Sequence, residues 1–201
     1  QMHDMIIQAI GEGNISRGDK ILVALCDPID GLFSLDTNML NANRFATLAN
    51  ETGIELEVLT KAMELARHIG SRGREGHSVG AIFAIGSIPK LRKYSTPLVL
   101  NPFKGHDASK KTIINNENHE TFAEFAWLDG AMFFNKEGIA SDAGRYIQVP
   151  AGIQPKYGEG GRHLAARAIS QLAECIAICI SSSGIITLYS HGRDKYKVKL
   201  N

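Results

Sequence analysis

Two short stretches of this sequence carry residues that could do chemistry together. The first is Tyr157-Gly158-Glu159-Gly160-Gly161-Arg162-His163, which runs straight into the alanine-rich Leu164-Ala165-Ala166-Arg167-Ala168. Glycines let the backbone turn with positive φ and let a ligand come close, and an alanine-rich run is a strong helix former. A glycine-rich loop opening onto a helix N-terminus presents amides without internal partners and a partial positive charge, so it suits a phosphate. Arg162 and His163 add donors at that end, and Gly160 and Gly161 leave room for the anion. The second stretch is Leu128-Asp129-Gly130-Ala131, where a carboxylate followed by two small residues stands at the mouth of the apolar run Ala131-Met132-Phe133-Phe134. A ligand can sit above such a carboxylate. Taken singly, each stretch also has a plainer reading: a surface turn, a turn or cap aspartate, a structural histidine.

The commoner nucleotide and metal signatures are absent. There is no G-x-x-x-x-G-K-[ST], and Gly70, Gly73, Gly76 and Gly80 do not fit G-x-G-x-x-G. His119-Glu120 lacks a second histidine four residues on, and Cys175 and Cys179 form no C-x-x-C pair beside a histidine, which argues against zinc. A net charge of +1, from 22 Lys and Arg against 21 Asp and Glu, argues against a general grip on a nucleic-acid polymer or an acidic membrane. Phosphate binding must then be local. The sequence contains no apolar run of the roughly 18–20 residues needed to span a bilayer, and its first residues show no signal-peptide pattern. Three cysteines, Cys26, Cys175 and Cys179, leave an odd thiol under any pairing and sit among aliphatics, as in a reducing compartment. A soluble, cytoplasmic protein is expected, and the start at Gln1 rather than Met fits a piece of a longer protein or a remnant of an added extension.

The elements that must position the two stretches follow from hydrophobic periodicity. Met2 to Ile10 reads as a short helix, and Ile21 to Cys26 with Leu32 to Leu35 as a hairpin. From Asn41 two helices follow in series, the first burying Phe45, Leu48 and Ala49, the second Leu56, Leu59, Met63, Ala66 and Ile69. After the basic, glycine-rich Ser71 to Gly80, the run Val79 to Gly86 has the composition of a strand buried on both faces, so it belongs at the sheet centre. Lys90 to Asn116 reads as a long functional or mobile connection, strand-like only at Pro97 to Leu100. A helix over His119 to Leu128 then leads through Asp129 to the apolar strand ending at Phe134. Two short strands follow, at Gly138 to Ala140 and Arg145 to Val149. A helix over Arg162 to Glu174, with Leu164, Ala165, Ala168, Ile169 and Leu172 on its core side, precedes strands at Cys175 to Ile180 and Ile185 to Tyr189. The fold class this implies is α/β: a single mixed sheet flanked by helices, without internal repeats. Residues 1–39 form an N-terminal helix and hairpin, and residues 40–201 the main domain.

The pairing of the two stretches, about thirty residues apart in this order, resembles the signature of the diadenylate cyclase domain, also called the DisA N-terminal domain. The resemblance extends over roughly residues 40 to 192: to Arg74-Glu75-Gly76, Asn101-Pro102-Phe103-Lys104-Gly105, Ala143-Gly144-Arg145-Tyr146 and Ile185-Ile186-Thr187-Leu188-Tyr189, in variants most like archaeal-type members. It implies an enzyme that condenses two ATP into cyclic di-AMP and two pyrophosphates with Mg²⁺ or Mn²⁺, across an interface between two self-associating copies. Carried over, Asp129 binds the metal and helps activate the ribose 3′-hydroxyl that attacks the α-phosphate of the opposing ATP. Gly130 and Ala131 admit the nucleotide, Tyr146 and Ile147 flank adenine, and Gly160, Gly161, Arg162 and His163 hold the triphosphate.

The sequence departs from that pattern in three places. The family's Thr before and Arg after the Arg-His pair are Gly161 and Leu164 here. Its acidic run near the later strand is replaced by Ser181-Ser182-Ser183-Gly184, so Ser181 and Ser182 offer hydroxyls where a carboxylate would assist the metal more strongly. Those departures motivate a rival expectation, a catalytically weak module that binds or senses ATP or cyclic di-AMP.

Overall fold

The computed structural model describes residues 6, 15, 19–25, 31–72 and 80–200. It divides into two units, residues 1–48 and 49–201. In the first, β1 (Lys20–Leu25) and β2 (Gly31–Asp36) form the expected antiparallel hairpin, Lys20 opposite Asp36 and Leu25 opposite Gly31. Apart from Ile6, the expected N-terminal helix lies outside the described residues, and so does Cys26. Helix α1 (Thr37–Thr52) starts at Thr37 rather than Asn41 and carries the chain across the unit boundary.

The second unit is a seven-stranded mixed sheet in the order β4-β6-β5-β3-β7-β8-β9. Its strands are β3 (Ala81–Ile85), β4 (Ser95–Pro97), β5 (Ala131–Phe134), β6 (Ala140–Ile147), β7 (Ile176–Ile180), β8 (Ile185–Ser190) and β9 (Arg193–Lys199). Between these strands lie α2 (Leu56–Arg72) before β3, then α3 (Ile88–Lys93), α4 (His119–Phe125) and α5 (Gly161–Leu172). The β3–β5 pair is parallel and every other pair in the sheet is antiparallel. As the uninterrupted apolar run predicts, β3 is central and buried throughout, as are its neighbours β5 and β7.

Alternation along these strands feeds two cores. Ile82, Ala84, Phe133, Ala177 and Cys179 cluster with Ala166, Ile169 and Ala173, so α5 covers one face. Alanines at those helix positions allow close approach to the sheet. On the other face Phe83, Phe134, Phe122 and Phe103 form a chain of edge-on and tilted rings with centroids 5.3 to 5.9 Å apart, tying α4 to the strands. Helix α2 packs on β7 and β8 and contacts α4, and its Val58, Leu59, Ala62 and Leu65 are fully buried. No helix among the described residues is long and apolar enough to cross a membrane.

Several expectations are corrected. Gly138 to Ala140 and Arg145 to Val149 do not form two strands: one continuous strand, β6, spans Ala140–Ile147. Its charged residues are buried and paired, Arg92 donating to Asp142 at 3.0 Å and Arg145 to Ser95 at 2.9 Å. The connection after Lys90 is built rather than loose. It carries the end of α3, strand β4 and two 3₁₀ turns (Ala108–Lys110 and Asn116–Asn118). It is pinned where Asn101 donates to the Ser141 carbonyl at 2.7 Å and where Phe103 packs on Phe122 and Phe125. Strand β9, with Tyr196 and Val198 alternating with lysines, was not among the expected strands.

Candidate active site

Asp129 is delivered by a frayed helix end. After α4 the chain continues in loose turns, Ala126 N–H donating to Phe122 O at 2.8 Å and Leu128 N–H to Phe125 O at 3.2 Å, and the exposed Asp129 follows. Gly130 then takes φ +106, and a Cβ there would lie 2.6 Å from Arg145 N and 2.8 Å from Arg145 O. The opposing strand is just as close. Gly144 has φ +65, and a Cβ on it would lie 2.4 Å from Val99 Cγ2. Glycine is therefore required at 130 by backbone packing against β6, a demand separate from the ligand access assigned to it in the sequence. The pairing of β5 with β6 is irregular here, with register shifts between Ala131 and Phe134.

The second wall is the start of α5. Gly160 is its N-cap in extended conformation, and its carbonyl accepts from Leu164 N–H at 3.0 Å, leaving the first amides unbonded within the helix. The preceding loop is held by an ion pair that composition could not reveal. Arg167, on the second turn of α5, donates to both carboxylate oxygens of Glu159 at 2.7 Å each and to Gln154 O at 2.8 Å. The two side chains are 9% and 7% exposed, so this bidentate clamp works largely out of water. Arg167 holds the Glu159 carboxyl below the usual carboxylate range, aided by the Lys156 amide.

Between these walls lies a cleft of about 680 Å³. Gly80, Ile82 and Ala131 form its floor, Asp129 and Gly130 one rim, and Gly161 and Arg162 another. Its apolar lining comes from Trp127, Leu128, Tyr146, Ile147, Val149, Leu164 and Ala165, with Arg145 and Ser182 also facing it. The Arg162 guanidinium lies flat over Gly80, where a Cβ would come within 2.8 Å of it, and makes no hydrogen bond or ion pair among the described residues. Arg145 is fully committed, bonded to Ser95 and the Arg92 carbonyl and lying 5.9 Å from the Phe133 ring centroid. Arg162 is thus the guanidinium left for a ligand.

Most of the residues singled out from sequence meet in this cleft: Asp129, Gly130, Ala131, Tyr146, Ile147, Gly161, Arg162 and Ser182. Gly160, His163 and Ser181 do not line it. His163 is half-buried, with Nδ1 2.9 Å from the Tyr189 hydroxyl, and burial followed by the Lys197 charge lowers its pKa against an opposing pull from Glu159. Ser181 is used in the β7–β8 turn, where its hydroxyl accepts from Ile185 N–H at 3.1 Å. Leu164, expected on the core side, lines the cleft, while Ala165 lines it and also packs against the core cluster as expected.

The family model described as DisA bacterial checkpoint controller nucleotide-binding (DAC) matches residues 68–193, both walls included. The chain belongs to the DAC family. Among relatives of this DAC domain, a protein named diadenylate cyclase from Methanocaldococcus jannaschii is 38% identical over 136 residues, 67% of this chain and 43% of that protein. One of the same name from Haloferax volcanii is 34% identical over 139 residues, 68% of this chain and 50% of that protein. The DAC chain therefore spans about half the length of these curated relatives. The crystal structure of a hypothetical membrane spanning protein from Bacillus cereus shares the fold, with a TM-score of 0.52 at 16% identity over 70% of this chain and 63% of that one.

Among the described residues, Asp129 is the only carboxylate lining the cleft, and no cluster of three or more His, Cys, Asp or Glu occurs. That donor set does not suit zinc, which wants a preformed cage. It fits Mg²⁺ or Mn²⁺, hard cations commonly held by one or two carboxylates together with water and substrate phosphates.

Proposed function

We propose that this DAC domain, residues 40–201, is a diadenylate cyclase that condenses two ATP into cyclic di-AMP and two pyrophosphates across two facing copies. The observation that carries this reading is one cleft lined by both Asp129 and Arg162, which has no partner among the described residues, at an open helix N-terminus. In each half-reaction a bond forms between a ribose 3′-oxygen and the α-phosphorus of the other ATP. The bond from that phosphorus to the β-phosphate bridging oxygen breaks, pyrophosphate leaves with its electron pair, and the hydroxyl proton passes to solvent.

Asp129 holds the divalent cation and faces the attacking hydroxyl. Mg²⁺ or Mn²⁺, when bound there, neutralises phosphate charge and makes the hydroxyl easier to deprotonate. Arg162 and the first amides of α5 hold the triphosphate, with His163 adjacent and Gly160 giving close approach. Gly130 and Ala131 admit the nucleotide, Tyr146 and Ile147 flank adenine, and the Ser181-Ser182 turn closes the far side. With little covalent work asked of the protein, positioning two reactants supplies about 7–11 kcal/mol of the barrier.

Self-association is supported by an apolar strip beside the cleft mouth. Leu98, Val99 and Leu100 are 51%, 42% and 96% exposed, and they follow β4 along the same β6 edge that carries the 58%-exposed Tyr146. Buried free thiols at Cys175 and Cys179, together with ATP as substrate, fit the cytoplasm.

Incubation with ATP and Mg²⁺ or Mn²⁺, with products identified by liquid chromatography and mass spectrometry, tests the reading. Cyclic di-AMP is expected from the wild type and none from Asp129→Asn, which should still bind ATP. Specific activity should fall on dilution, and constant activity down to a demonstrated monomer would refute the two-copy site. A second reading, an ATP or cyclic di-AMP sensing module, is favoured by the single carboxylate and by glycine and leucine at 161 and 164. Tight binding without turnover under either metal would establish it.

A further inference from the structure

A polar cluster under the first turn of α5 is not used by the reaction as described. Tyr189 lies on β8, 6% exposed, with its hydroxyl 2.9 Å from His163 Nδ1 and the two rings edge-on at 6.1 Å. Thr187, two residues earlier on the same strand face, is 2% exposed, and its hydroxyl neighbours the Tyr189 phenol. Two buried hydroxyls of β8 therefore stand beside one histidine, the sequence neighbour of Arg162 in the first turn of α5.

We propose that Tyr189 is a positioning residue for His163: its phenol donates to Nδ1, which fixes the ring and places the imidazole proton on Nε2, the nitrogen left to meet a phosphate oxygen. This rests on the cyclase reading for its catalytic consequence but not for its structural content. A buried phenol must place its O–H somewhere: His163 Nδ1, at 2.9 Å, is the acceptor with hydrogen-bond geometry, and the neighbouring Thr187 hydroxyl is placed to donate to the phenol oxygen in turn. Had Nδ1 carried the proton, the imidazole would offer Nε2 only as an acceptor, the wrong polarity for an anion. The same bond that satisfies Tyr189 thus selects the useful tautomer.

Burial, more than the surrounding charges, keeps both partners neutral. Burial pushes the Tyr189 hydroxyl up to about 12, with Cys179, Glu159 and Asp194 acting in the same direction and Thr187 against it. His163 is lowered by burial and by Lys197 on β9, while Glu159 on the preceding loop opposes. Near neutral pH the pair is then a phenol donating to an uncharged ring.

Two measurements test this, one independent of activity. Long-range ¹H–¹⁵N correlation of the histidine rings at pH 8, with the His163 signal assigned from a His163→Gln variant, should show the Nε2–H tautomer in wild type. A mixture should appear in Tyr189→Phe, which keeps the ring and removes the hydroxyl. The Nδ1–H tautomer in wild type, or no change in Tyr189→Phe, overturns the proposal whether or not the chain makes cyclic di-AMP. The second measurement is a double-mutant cycle in the cyclase assay. Tyr189→Phe should lower kcat about tenfold with little change in KM, and should cost nothing further in a His163→Ala background. Additive losses would mean that Tyr189 does not act through His163. Absence of product from wild type defeats the cyclase reading alone, since the tautomer result stands apart from it.

Discussion

The two walls of the cleft are built on opposite principles. The Asp129 wall is backbone against backbone, with Gly130 and Gly144 at positive φ and no room for a Cβ on either. The α5 wall is open: an added Cβ on Gly158, Gly160 or Gly161 would meet nothing within 4 Å, and the loop is tied down chiefly by the Arg167–Glu159 clamp. The difference suits the work assigned to each. A carboxylate that sets a cation and a nucleophile must not drift, whereas a phosphate cradle must admit a triphosphate and release pyrophosphate.

The contrast can be broken most severely at Gly130. Gly130→Ala puts a methyl 2.6 Å from the Arg145 backbone at φ +106, so a loss of roughly 3–5 kcal/mol and of nucleotide turnover is expected. For a chain of this size that is a drop in Tm on the order of 10 °C, read by thermal melting. Next comes the clamp. Arg167→Ala leaves Glu159 buried without its partner, for an expected cost of about 3 kcal/mol and weaker ATP binding, while Asp129-dependent metal binding is retained. Titration of the single tryptophan, Trp127 in the cleft wall, follows that binding by fluorescence.

The same clamp predicts a pH dependence. Because the folded-state pKa of Glu159 is depressed, its contribution to stability is complete above the ordinary carboxylate range and is lost as pH falls through the depressed value. The stability gap between wild type and Glu159→Gln should therefore narrow between about pH 5 and about pH 3. An unchanged gap would show that the ion pair contributes little. The smallest effect is expected at Gly161. Gly161→Ala has space and ordinary φ, so stability should shift by less than about 1 kcal/mol, upward if anything. A large loss there would mean that the open wall is as tightly specified as the other.

Legibility in the sequence followed the same division. The strand from Ala81 to Ile85, the glycine-rich loop and the aspartate at a helix-to-strand joint were readable because apolar runs, glycine clusters and abrupt changes of period are local signals. What was not readable depends on partners far away in the chain. The continuity of β6 through Asp142 and Arg145 was one such case, because Arg92 and Ser95, which bond these two buried charges, lie about fifty residues earlier. Strand β9, Arg193-Asp194-Lys195-Tyr196-Lys197-Val198-Lys199, does alternate Tyr196 and Val198 with lysines, so its period was legible, and its charges suit a sheet edge. Glu159 and Arg167 were visible as residues, but only the turn between loop and helix brings them together. His163 was assigned to the phosphate by its neighbours, and its engagement by Tyr189 could be seen only once β8 lay beneath α5.

The placement of β3 at the sheet centre has a consequence for synthesis. Its partners are β5 and β7, and Ala81 finally pairs with Ile180, so the most apolar strand of the domain depends on contacts spanning about a hundred residues. During translation β3 can acquire β5 first, then waits for roughly forty further residues before β7 emerges to cover its other edge. At about 5–20 residues per second that is a delay of a few seconds with Ala-Ile-Phe-Ala-Ile exposed along one side. The candidate cleft therefore assembles late and cooperatively, and nascent chains stalled before Ile176 would be the species that most need a chaperone.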